Sequence, residues 1–119
     1  MEPIDLADKL KQIEDTWSPR VVAELNDYQF KLAWLQGEFV WHCHDETDEA
    51  FFVLEGEFMM EYRDRTVPVK QGELIVVPKG VEHRPVAATH CAVLLIEPKG
   101  VINTGEAGGE LTAEPDRWI

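Results

Sequence analysis

The amino-acid sequence predicts an all-β fold: an antiparallel double-sheet barrel of the jelly-roll kind, with one short helix outside it at the N-terminus. Three observations carry this. From Arg20 to Glu97 the chain runs as short apolar and β-branched stretches separated by Gly, Pro, Asn and Asp, the pattern of successive strands. Helical spacing is confined to the first residues, where Ile4, Leu6, Leu10 and Ile13 recur on one side. Finally, 119 residues, 45% of them hydrophobic, make one domain with a true core.

Taken in order, Pro3–Ile13 is the expected helix, with Pro3 in its first turn and Asp5 at its positive end. Ser18-Pro19 breaks it. Strands are then expected over 20–25 and, after a turn at Asn26-Asp27, over 28–35 and 38–44. Further strands are expected over 49–54, 57–63, 66–69, 74–77, 83–87 and 89–97. This divides the chain into a helix and lead-in (1–19), a barrel (20–97) and a Gly-rich polar arm (98–119), with no repeat and no second domain.

The chemistry gathers in two glycine-framed segments. The first carries His42, His44 and Glu49 between Gly37 and Gly56; the second carries His83 after Gly72, Pro78 and Gly80. On a strand, His42 and His44 face the same way and Cys43 the other. Glu49 follows the short acidic loop Asp45–Asp48 and opens the apolar run Ala50–Leu54, so a returning strand can set its carboxylate opposite the histidines. Three imidazoles and one carboxylate suit one divalent transition metal, Fe, Mn, Ni, Co or Zn, better than Ca or Mg.

The two segments resemble the two signature motifs of the cupin superfamily. His42-x-His44, Glu49 and Gly56 fit the first motif; Gly72, Pro78, Gly80 and His83 fit the second. Gly37 stands one residue closer to the first histidine than is usual, and Ala87 stands where the family often has Asn. The resemblance spans Val21 to Ile96. It implies a double-stranded β-helix with His42, His44, Glu49 and His83 as metal ligands, and leaves the reaction open.

Strand parity through residues 38–44 puts Val40 inward with the histidines and Phe39, Trp41 and Cys43 outward. A row so apolar needs a cover, either the N-terminal helix or a second copy of the chain, and a homodimer is expected. Two further side chains are candidate catalytic groups. Tyr62 shares a face with Phe58 and Met60; it is either core packing or a phenol that donates to substrate. His90 shares parity with Ala92, Leu94 and Ile96; it is either a pocket residue or a satisfied group at the barrel rim.

Eleven basic against twenty-three acidic residues, a net charge of −12, argue against nucleic acid and anionic membrane partners. Cys43 and Cys91 are too few for a disulfide framework. With neither a leader-like start nor a long apolar run, a cytoplasmic location is expected. The function classes left are a metalloenzyme of dioxygenase, isomerase or lyase type acting on a small polar metabolite, a non-catalytic metal- or small-molecule-binding module, and a structural metal protein.

Overall fold

The computed structural model describes residues 1–119 and consists almost wholly of antiparallel sheet. The helix α1 is shorter than the spacing predicts, Leu6–Leu10, because Asp5 sits at its N-cap and accepts from the backbone N–H of Asp8 at 3.1 Å. That cap, an interaction worth about 1 kcal/mol, leaves Pro3 outside the helix. Ile13 lies beyond the last turn but is still buried.

Seven strands follow: β1 (Arg20–Leu25), β2 (Tyr28–Glu38), β3 (Glu49–Glu55), β4 (Glu57–Tyr62), β5 (Thr66–Lys70), β6 (Leu74–Val77) and β7 (His83–Pro98). One layer has the order β1-β2-β7-β3-β6, and β4 pairs with both β5 and β7. The strands expected over 83–87 and 89–97 are one strand of 16 residues. Its first half pairs with β4, from Tyr62↔His83 to Met59↔Val86; its second half lies between β2 and β3. A single long strand thus belongs to both layers.

The strand expected over 38–44 does not form. A register shift between Leu35 and Gly37, with Gly37 at φ 84°, ends the β2 ladder at Glu38. The chain then touches β7 through the Phe39 N–H, which donates to the Pro85 carbonyl at 3.0 Å, and through an isolated bridge, His42↔His83. Parity fails with the ladder. Phe39 is 7% exposed, stacked on Trp17 at 4.8 Å, and faces the core, not solvent. Trp41 is half-buried under the guanidinium of Arg63, 3.9 Å from its ring centroid, with Arg84 at 5.3 Å. The expected outward row of Phe39, Trp41 and Cys43 is therefore not a surface, and α1 does not cover it.

The main core lies between the layers, where Phe58, Met60 and Val69 meet Ala33, Leu35, Phe51, Val53, Val93 and Leu95. A smaller cluster of Leu10, Ile13, Val22, Leu32 and Ala92 lies beneath α1 on the outer face, and Trp34 Nε1 donates to the Leu10 carbonyl at 3.1 Å. The helix exists to cover this face. Residues 98–119 contain no helix or long strand, yet their course is pinned. Asn103 Nδ2 donates to the carbonyls of Trp17 (3.0 Å) and Leu111 (2.9 Å), and Val21 N–H donates to Arg117 at 2.7 Å.

Candidate metal centre

His42 and His83 face one another across a two-way backbone bridge, His42 N–H to His83 O at 3.1 Å and His83 N–H to His42 O at 2.9 Å. His44 is fastened by the second motif's turn, whose Gly80 N–H donates to its carbonyl at 2.9 Å. The loop between His44 and Glu49 is tied to the same turn, because Asp48 Oδ1 accepts from Lys79 N–H at 2.9 Å. Asp48 therefore ties the two motifs together from an exposed position. Glu49 opens β3 opposite Val77 and faces inward.

These elements bring the four expected ligands together. One donor atom from each of His42, His44, Glu49 and His83 lies within 4.8 Å of the others, and all four residues are buried. The tautomers suit a metal. The Nδ1 atoms of His42 and His83 each lie 2.9 Å from a carbonyl, of Val40 and Val81, so the Nδ1–H donates there and Nε2 keeps its lone pair. Glu49 Oε1 is 3.5 Å from His44 Nε2 and 3.6 Å from His83 Nε2, and none of these three atoms has a hydrogen-bond partner. Buried polar atoms rarely stay unpartnered, and here they converge on one point. The donor set fits a divalent transition metal.

Electrostatics agree. Burial, reinforced by the nearby His83, lowers His42 to about 4, so it is neutral and ready to ligate at neutral pH. Burial alone would raise Glu49, but the imidazoles of His44 and His83, with Glu97 beside them, outweigh it and hold the carboxyl well below its ordinary range. Glu97 goes the other way. Burial and the adjacent Glu49 push it well above 4.5, against the pull of Lys31.

Apolar side chains, among them Leu35, Phe39, Phe51 and Leu95, surround the ligands with Trp17 and Asn103, leaving a cavity of about 30 Å³. That volume holds about one water. The arm packs closely beside His44: a Cβ on Gly105 would lie 2.3 Å from the Cys43 carbonyl oxygen and 3.7 Å from His44 Nδ1. Trp17 and the arm were not legible as site residues, since nothing local marks them.

The two candidate catalytic side chains are placed elsewhere. His90 is exposed and stacked on Trp34 at 4.1 Å on the outer face, because its parity partners Ala92 and Leu94 face the helix side and not the barrel interior. Tyr62 is half-buried across the ladder from His83, with Arg65 5.4 Å from its ring centroid, and lines an open groove separate from the metal cavity. Burial raises its phenol, partly offset by Arg65. Cys43 is turned to Asp45 at 3.4 Å, a contact that raises the thiol and leaves it out of the ligand set. Lys31 and Glu97, both buried in the barrel, carry no local mark of a role at the site.

Residues 34–97 match the protein family described as the cupin domain. The uncharacterized protein YdbB of Bacillus subtilis is 34% identical over 95 residues, 79% of this chain and 81% of that protein. A cupin-2 domain containing protein of Shewanella frigidimarina has a crystal structure with a TM-score of 0.79 and 50% identity, over 80% of this chain and 93% of that one. A 3-hydroxyanthranilate 3,4-dioxygenase of Xanthomonas campestris is 38% identical over 58 residues, 45% of this chain and only 33% of that enzyme.

Proposed function

The chain belongs to the cupin family, and on that premise we propose that it is a small metal-dependent enzyme of the dioxygenase type acting on a small polar metabolite. The observation that carries the reading is the buried convergence of three imidazoles and Glu49 Oε1 with no protein partner for the inward-facing atoms. A divalent transition metal held there supplies Lewis acidity and coordination positions beyond its four protein ligands. Around it, His42 and His83 keep their protons on Nδ1 and present Nε2, while Leu35, Phe51 and Leu95 exclude water.

The partial likeness to a dioxygenase supports that class over isomerase or lyase chemistry. Two of the nearby arginines are also already paired: Arg63, in the turn after β4, is held by Glu82 at 3.1 Å, and Arg84, beside His83, by Glu38 and Glu61 at 2.8 and 2.7 Å, so neither is a free cation for a sugar phosphate. A second reading, metal binding without turnover, is favoured by the cavity of about 30 Å³ and the absence of Tyr62 and His90 from it.

No helix is long and apolar enough to cross a membrane. We further propose a cytoplasmic homodimer. The support is the pair of unbridged thiols and the outer face at β6, where Leu74 and Val76 are 59% and 52% exposed. Sedimentation at several concentrations tests the dimer.

The test of function is metal analysis of protein purified without a histidine tag, followed by oxygen uptake after Fe(II) is restored. Small hydroxylated aromatic acids, 3-hydroxyanthranilate among them, are the substrates to offer. Uptake that depends on Fe(II) and disappears in His83→Ala supports the enzyme. One metal per chain with no uptake across the panel favours the binding module.

A further inference from the structure

A row of buried polar side chains crosses the inner face of the sheet directly beside Glu49. Gln29 on β2 and Glu97 on β7 are register partners, and the β3–β7 register that pairs Ala50 with Ile96 sets Glu97 across from Glu49. Gln29, Glu97 and Glu49 are 0%, 1% and 4% exposed. Lys31, on the same face of β2, donates from Nζ to Glu97 Oε1 at 2.9 Å, and both side chains are 2% exposed. Gln29 turns its amide to Glu24 and Asp116, both at 3.0 Å, so the row continues outward to the surface.

An amine and a second carboxyl buried here stabilise the fold less than an apolar pair of the same volume would. Neither is a metal ligand. Lys31 Nζ also donates to the Val101 carbonyl at 3.4 Å, while Glu97 is the neighbour across the ladder of Glu49, whose Oε1 is aimed at the histidines. Glu97 itself is held from one side only: Oε1 takes Lys31, and Oε2 has no hydrogen-bond partner.

We propose that Glu97 is a positioning residue for the metal centre: its carboxyl, anchored by Lys31, holds the Glu49 carboxylate with Oε1 turned toward His44 and His83. This rests on the metal reading above and adds a residue outside the ligand set on which metal affinity depends. Partners that orient metal ligands in this way contribute about 10–100-fold in affinity.

The experiment is Zn(II) affinity by chelator competition, with melts of the metal-free proteins and the absorption spectrum of the Co(II)-loaded forms. Glu97→Gln keeps an acceptor for Lys31 and a polar group of the same size beside Glu49, and should bind Zn(II) within a few-fold of wild type. Glu97→Leu removes both, and should weaken Zn(II) binding by about 10–100-fold and shift the Co(II) spectrum. Because it also strands a buried ammonium, the double variant Lys31→Met/Glu97→Leu supplies an apolar pair that should fold and show the same loss. Wild-type affinity in a folded double variant, or equal weakening by Gln and Leu, overturns the proposal alone. A wild-type protein that takes up no metal overturns both it and the reading on which it rests.

Discussion

Residues 39–44 and strand β7 deliver histidines to one point by opposite means. β7 is one strand, paired on either side of residues 88–90, in which His83, Pro85, Ala87, Cys91, Val93, Leu95 and Glu97 all face inward. Residues 39–44 have left the sheet, and Phe39, His42 and His44 are buried without a common parity. Alternation is a property of the hydrogen-bonded ladder, so it holds along β7 and lapses where Gly37 ends β2. The irregular segment has to be positioned by other bonds: the His42–His83 bridge, Gly80 to His44, and Lys79 to Asp48.

The largest expected effect breaks this comparison at its weakest assumption. If Phe39 is core, Phe39→Ala should destabilise the protein by about 3–5 kcal/mol, and Phe39→Glu should prevent folding. Trp41→Glu, which under strict alternation would be the equivalent change, loses only contacts with Arg63 and Arg84 and should cost about 1 kcal/mol or less. Urea unfolding of the three variants measures this. Equal, severe losses at both positions would restore the continuous strand.

A smaller effect sharpens the comparison at the ligands. Metal at about 100 times its Kd should stabilise the wild type by about 2.7 kcal/mol. His83→Ala, from the regular strand, and His42→Ala, from the irregular segment, should both lose most of that increment. Thermal melts with and without Zn(II) test it, and an undiminished increment in His83→Ala would remove that residue from the centre.

The smallest effect concerns pH in the metal-free protein. His42 takes a proton near 6.5 when unfolded but only near 4 in the fold, so the unfolded chain binds more protons in that window. The stability that neutral His42 contributes is complete above pH 6.5 and is lost as pH falls to about 4. Glu97, raised by burial, acts in the opposite sense, gaining stability as pH falls toward 4.5. The difference between wild type and His42→Gln, which leaves Glu97 in place, isolates the histidine. Melting profiles that run parallel from pH 6.5 to 4 would contradict it.

Much of the site was legible because motif spacing is local. Two histidines at i and i+2, a carboxylate after a short acidic loop, and a Pro-Lys-Gly turn ahead of a third histidine are all written within a few residues of one another. The catalytic candidates were harder. Parity groups His90 with Ala92 and Leu94 correctly, but does not say that this set faces α1. Lys31 and Glu97 are not legible in the sequence because each alone reads as an ordinary strand charge; their meaning lies in a contact between residues on β2 and β7.

The sequence by itself determined the all-β class, the expected metal ligands and six of the strands to within a few residues, since turn chemistry and ligand spacing are short-range properties. Only the tertiary structure decided which side of each strand is the interior, that Phe39 packs on Trp17, that the arm packs beside the metal ligands, and that a lysine and a second glutamate stand behind Glu49. Those outcomes depend on which strands become neighbours, and neighbours far apart in the chain are chosen by the packing of the whole barrel.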